Sequence, residues 1–233
     1  MSGARDRILG GLRDSLAARQ PGRDREAAAA EVEGRLAARA RNLVPARAQL
    51  PVAEMRDLFA AKAVAANATV DRVPAAEVPA ALMRYLSDRN LPAAVAMSPD
   101  LALDPYPWQQ AGLLDIARRR AVPEDAVSVT PAFAGIAETG TLMLWSAPER
   151  PTSLNFLPET HVVVLRAGDV VPALEDAWTR LRAAQTVTAG DRAFPRTVNL
   201  ITGPSRTADI EQELILGAHG PRRLHILLVE DED

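Results

Sequence analysis

The stretch "TVNLITGPSRTADIEQELILGAHGPRRLHILLVE" runs from Thr197 to Glu230 and carries the reading of the fold. Two apolar runs of strand length, Val198–Thr202 and Leu224–Val229, frame a polar middle. Between them Thr207–Leu216 reads as a short helix. Thr207 is a good N-cap, Asp209 and Glu211 in the first turn complement the helix dipole, and Gly217 stands where a helix stops. A strand, a helix and a second strand make a parallel βαβ unit, and a parallel sheet needs helices over both of its faces.

The same texture extends upstream. Val52–Ala66, Glu77–Arg89 and Pro172–Ala184 have the composition and periodicity of helices, the last with Pro at its start, where it is tolerated. "ATVDRV" (68–73), Ala93–Met97, Val127–Thr130, Thr141–Trp145 and His161–Leu165 read as strands. A looser region, "SPDLALDPYPWQQAGLL", lies between the second and third of them. The pattern predicts an α/β fold built on a mostly parallel sheet covered on both sides. Residues 1–48 differ. Arg5–Arg19 and Glu26–Arg41 read as Ala-rich helices broken by "QPGRD" at 20–24, with too few large apolar side chains to fold alone. They form an N-terminal helical arm.

Composition narrows the chemistry. The chain has 233 residues, 48% hydrophobic and 24% charged, as expected of a soluble globular protein. It has no cysteine, which excludes a disulfide, a thiolate nucleophile and a Cys-ligated zinc or iron–sulfur cluster held by this chain. That suits a reducing compartment, and the expected location is cytoplasmic. Residues 1–50 contain 10 Arg against 6 acidic residues in a chain of net charge −3, so the arm is basic and the remainder acidic. Its basic residues alternate with acids and no aromatic lies among them, the pattern of a solvated helix; no nucleic-acid partner is expected. No apolar run is long enough to span a membrane, and the first 20 residues lack the apolar core of a secretory signal.

In open parallel sheets, ligands bind outside the carboxyl ends of strands. Three polar loops follow expected strands: "PAFAGIAETGTL", "SAPERPTSLNFLPET" and "GPSRTADIE". In the first, Glu138 could act as a general base with Thr139 and Thr141 as hydroxyl donors. Alternatively, Gly140 supplies positive φ to a tight turn and Glu138 faces water. In the third, Arg206 could grip an anion beside a helix N-terminus, or pair with Asp209 at a simple cap. A helix from Thr207 to Leu216 is about 15 Å long, which would put Ser205 and His219 at opposite ends and rules out a nucleophilic dyad. His161 and His225 lie in strands and read as structural. Three scattered histidines without H-x-x-x-H spacing make no metal site. Neither nucleotide-binding glycine fingerprint nor a nucleophile-elbow serine occurs.

Three blocks carry a resemblance. "GIAETGTLML" (135–144), "RPTSLNFLPETHVVV" (Arg150–Val164) and "GPSRTADIEQELILGAHGPRRLHILLVE" (203–230) resemble the LutC/YkgG family, lactate-utilisation proteins with a LUD domain. The match covers roughly residues 50–230, which makes 49–233 the LUD-type domain. The resemblance implies a Rossmann-like sheet of the ribose-5-phosphate isomerase/CoA-transferase-like superfamily. It also implies membership of a three-protein system oxidising L-lactate to pyruvate, with iron–sulfur clusters on the two partner proteins and no cofactor in this chain. The family positions matched here are Glu138, Thr139 and Gly140; Leu157, Pro158 and His161; and Ser205, Arg206, Thr207, Asp209, His219, Gly220 and Pro221. Combined with the loops, they make Glu138 and His219 the candidate proton-transfer groups. Thr139, Gly140, Ser205, Arg206, Thr207, Asp209 and Gly220 become candidate binders of a small anionic ligand. The rival expectations are a stand-alone isomerase or transferase for a phosphosugar or CoA ester, by fold analogy alone, and an assembly scaffold.

Overall fold

Strands that alternate Val, Leu and Ile without interruption must be covered on both faces, and two such strands form the centre of this protein. A computed structural model describes residues 3–19, 24–188, 194–208, 214–217 and 219–230. The chain divides into two units, Met1–Leu43 and Val44–Asp233. The first holds helices α1 (Gly3–Arg19) and α2 (Arg25–Ala38). Asp24 caps α2, its carboxylate accepting from the Glu26 and Ala27 amides, and Arg39 ends it in the left-handed conformation. Ile8, Leu12, Leu16, Val32 and Leu36 are each more than half exposed, as the shortage of large apolar groups implies.

The second unit runs α3 (Val52–Ala65), β1 (Thr69–Pro74), α4 (Val78–Asp88), β2 (Ala94–Met97), β3 (Asp115–Arg118), β4 (Val127–Pro131), β5 (Ala134–Ile136) and β6 (Thr141–Trp145). It continues with α5 (Ser153–Phe156), β7 (Thr160–Arg166), β8 (Val170–Val171), α6 (Leu174–Thr188), β9 (Val198–Ile201), β10 (Arg206–Ala208), β11 (Leu214–Leu216) and β12 (Arg223–Glu230). Six strands form a parallel sheet in the order β1-β12-β7-β4-β2-β3. This is the expected α/β architecture.

Period-two alternation divides the core between the faces of that sheet. Val162 and Val164 of β7 and Leu227 and Val229 of β12 pack with Val78, Leu82 and Leu86 of α4. Val163 and Leu165 of β7 and Ile226 and Leu228 of β12 pack with Phe59 and Ala63 of α3 and with Leu142 and Leu144 of β6. Met143, between those last two, points the other way, onto Ala177 and Leu181 of α6.

Two expectations need correction. Thr141–Trp145 and Val198–Thr202 are not members of the parallel sheet. They are β6 and β9 of a second, four-stranded sheet ordered β8-β5-β6-β9, in which β5–β6 and β6–β9 are antiparallel. The reason is local: only residues 137–140 separate β5 from β6, and a parallel crossover needs a dozen or more. Gly140 closes that turn at φ +68, donating to the Ile136 carbonyl at 2.9 Å. The second correction is larger. The described ends of the segment Thr207–Leu216 are strands, not helix. They are β10 and β11, paired antiparallel with Arg206 opposite Leu216 and Thr207 opposite Ile215. Thr207 therefore caps no helix. Asp209 and Glu211 lie outside the described residues.

Two histidines sit inside the parallel sheet, one toward each face. His225 stacks on Tyr85 with ring centroids 3.8 Å apart, and its Nδ1 lies 2.8 Å from Thr69 Oγ1. Burial pushes its imidazole down to about 4; Asp71 opposes the shift and Arg89 adds to it. Burial alone pushes His161 down to about 3. Both rings are neutral in the folded protein, whereas an unfolded imidazole takes a proton near pH 6.5. Below that pH the unfolded chain binds more protons, so stability is complete above about pH 6.5 and falls as pH drops toward the two folded values, by up to about 1.4 kcal/mol per pH unit for each ring. Thermal melts at pH 7.5 and pH 5 should show a loss of about 4 kcal/mol from the pair, roughly halved in His225→Phe. A pH-independent melt across that range would refute the assignment.

Candidate functional site

A cleft of about 280 Å³ lies over the amino ends of β7 and β12. Residues 200–206 form one wall, and His219, Gly220, Pro221 and Leu224 form the other. Buried Asn155 and His161 form the floor, and half-exposed Phe156 borders it. The location is not the one expected from strand order, because the wall belongs to the end of β9, which lies in the small sheet. That sheet packs on one face of the parallel sheet, and the turn leaving β9 hangs over the strand starts. Among the described residues lining the cleft there is one guanidinium, two imidazoles, three other polar side chains and no carboxylate.

Backbone pairing holds the two walls together. Ser205 N–H donates to the Pro221 carbonyl at 2.8 Å, and Gly217 N–H donates to the Ser205 carbonyl at 2.9 Å. This ladder prolongs the β10–β11 pairing and brings "GPSR" against "HGP". The 15 Å separation inferred from a helix therefore does not apply: Ser205 and His219 line one cleft, although no hydrogen bond joins them. Gly220 faces Ser205, and a Cβ placed on it would lie 3.4 Å from the serine Cβ, in ordinary contact. Arg206 and His219 are exposed at the mouth, and no carboxylate among the described residues pairs with Arg206.

The "AETGT" turn is placed differently. Glu138 does not line the cleft; its Oε1 accepts from the Leu174 amide at 3.0 Å, at the start of α6. Gly140 is pressed against α3, where a Cβ would sit 2.3 Å from the Ala63 nitrogen. Thr139 is linked to the cleft through hydroxyls: Thr139 Oγ1 lies 2.7 Å from Thr141 Oγ1, which lies 2.7 Å from Thr202 Oγ1 in the cleft wall. The structure thus brings together Ser205, Arg206, His219 and Gly220, and leaves Glu138, Thr139 and Gly140 outside the cleft. Asp209 lies outside the described residues.

Sequence reasoning missed two floor residues. His161 is fully buried; its Nε2 lies 2.7 Å from Thr130 Oγ1, and its Nδ1 has no partner among the described residues. Asn155, also buried, has a carboxamide with no hydrogen bond among them. The signal was present: both lie in the second family-like block, and a histidine inside a run of valines is a polar group that needs a partner.

A cation near the floor residue Asn155 is committed elsewhere. Arg150 donates to buried Asp100 and lies over the Trp145 ring at 4.3 Å. No group of three potential metal ligands occurs among the described residues. Nor is any helix there long and apolar enough to cross a membrane.

The LUD domain family matches residues 57–229. The chain belongs to the LUD domain family. Its relatives include the Escherichia coli K12 protein YkgG, 40% identical over 105 residues, and lactate utilization protein C of Bacillus licheniformis, 34% identical over 105 residues. These alignments cover 45% of this chain and 44% and 42% of the two relatives, so the chain spans less than half the length of either. The LutC/YkgG resemblance read from the three blocks is thereby borne out. A solved structure, a DUF162 family protein from Deinococcus radiodurans, superposes with a TM-score of 0.57 at 22% identity, covering 77% of this chain and 99% of that one. That likeness concerns the fold alone.

Proposed function

We propose that this LUD domain protein is the non-redox member of a lactate-utilisation system and holds a small anionic ligand in the Ser205–Arg206 cleft. The observation that carries the reading is the make-up of the cleft: the Arg206 guanidinium and five other polar side chains that can hydrogen-bond, with no carboxylate among the described lining residues. A site of that make-up favours an anion, and a guanidinium can hold a carboxylate at two points. Ser205 and the Gly220 backbone offer further hydrogen bonds. His219, exposed at the mouth, is the group placed to exchange a proton with solvent. Glu138 serves the start of α6.

The names of the relatives supply the substrate class. Lactate oxidation removes two electrons, and a chain without cysteine cannot ligate an iron–sulfur cluster through thiolates. The electrons then pass to two iron–sulfur partner proteins, and this chain presents or senses the acid.

The test is anaerobic purification with and without two cluster-bearing proteins of a lactate-utilisation system. The chain alone should be colourless and inactive on L-lactate, and lactate-dependent electron transfer should appear only in the three-component mixture. Turnover of a phosphosugar or CoA ester by the isolated chain would replace this reading with the isomerase or transferase alternative. Full lactate oxidation by the two partners without this chain would end it.

A further inference from the structure

The cleft has two chemically distinct ends. At the mouth are exposed Arg206 and His219. On the floor are His161 and Asn155, both more than nine-tenths buried. His161 is held by one nitrogen only: Thr130 engages Nε2, and Nδ1 is buried without a partner among the described residues. A buried polar atom without a partner is unfavourable by about 1–3 kcal/mol. His225 Nε2 is likewise unpartnered among the described residues, but only His161 lines the cleft, where a ligand can supply the missing bond. The Asn155 carboxamide, which makes no hydrogen bond among the described residues, lines the same cleft.

We infer that His161 reads the hydroxyl group of the ligand: its Nδ1 accepts the hydroxyl hydrogen of a hydroxy acid whose carboxylate lies on Arg206. The inference rests on the anion-site reading of the cleft and adds the residue that distinguishes a hydroxy acid from a plain carboxylic acid. With Nε2–H donating to Thr130, the tautomer neutral imidazole prefers, Nδ1 is a bare acceptor. Burial keeps the ring neutral, so the floor offers no charge to a second carboxylate and suits a molecule anionic at one end only. A volume of about 280 Å³ is about nine waters' share of liquid volume, enough for a three- or four-carbon hydroxy acid with residual water.

The experiment uses the full chain and two probes, L-lactate and propionate, which differ by the hydroxyl. Isothermal calorimetry should show the wild type binding lactate about tenfold more tightly than propionate, the ratio expected for one good hydrogen bond. In His161→Gln the side-chain amide can still reach Thr130 but offers no equivalent of Nδ1, and the ratio should fall to about 1. ¹⁵N NMR of the wild type gives a readout that does not depend on the variant folding: the pyridine-type Nδ1 resonance of His161 should move on adding lactate and stay in place with propionate. A tenfold preference that survives in His161→Gln, or an Nδ1 resonance indifferent to lactate, overturns the inference. Equal binding of both acids by the wild type overturns it while leaving the anion site standing. Binding of neither acid overturns the anion site, and this inference with it.

Discussion

Gly203→Ala is expected to destabilise the second unit by about 2–5 kcal/mol, the sum of left-handed backbone strain and overpacking. Gly203 has φ +73, a conformation that disfavours any Cβ. A Cβ there would lie 1.9 Å from the Ala66 carbonyl oxygen and 3.0 Å from its carbon. Neither atom can move aside cheaply, because Ala66 closes α3, donating to the Lys62 and Ala63 carbonyls. Gly112→Ala is the comparison. It too has positive φ, +62, but a Cβ would meet nothing within 4 Å, so only the conformational strain of about 1–2 kcal/mol remains. Urea unfolding of both variants separates the terms. Equal losses would mean that the contact with α3 does not constrain the turn that starts the cleft wall.

Arg206→Ala is expected to weaken L-lactate binding about 10- to 100-fold, the range for a hydrogen-bonded pair with a charged group, and to abolish growth on lactate in a strain lacking the wild-type gene. Stability should change by less than about 0.5 kcal/mol, because Arg206 is exposed. Arg206→Lys should recover only part of the affinity, since an ammonium lacks the planar two-point contact. Glu138→Ala is the opposite control: loss of the Leu174 contact should lower stability by about 1 kcal/mol, as for a lost N-cap, and leave lactate affinity unchanged. Normal lactate affinity in a folded Arg206→Ala protein would remove the anion site. Lost affinity in a folded Glu138→Ala protein would return Glu138 to the site.

The sequence by itself determined the parallel sheet. Val162–Leu165 and Ile226–Val229 can be satisfied only by burial on two faces, and the helices expected at 52–66 and 77–89 cover them. It also singled out Ser205, Arg206, His219 and Gly220, polar or flexible groups too densely placed for a plain connection. Tertiary structure alone decided how those residues meet. The local signals in 207–216 favour a helix, but they compete with a backbone ladder in which Ser205 pairs with Gly217 and Pro221. Such pairing joins residues 12 and 16 apart, so no local pattern reveals it, and each ladder bond satisfies a group a short helix would leave open at its ends. Glu138 shows the same limit from the other side: its turn was legible, its partner was not, because Leu174 lies 36 residues away. His161 looked structural because alternation in a strand tells which face a residue takes, and only the packing of the small sheet decides whether that face is sealed or opens into a cleft.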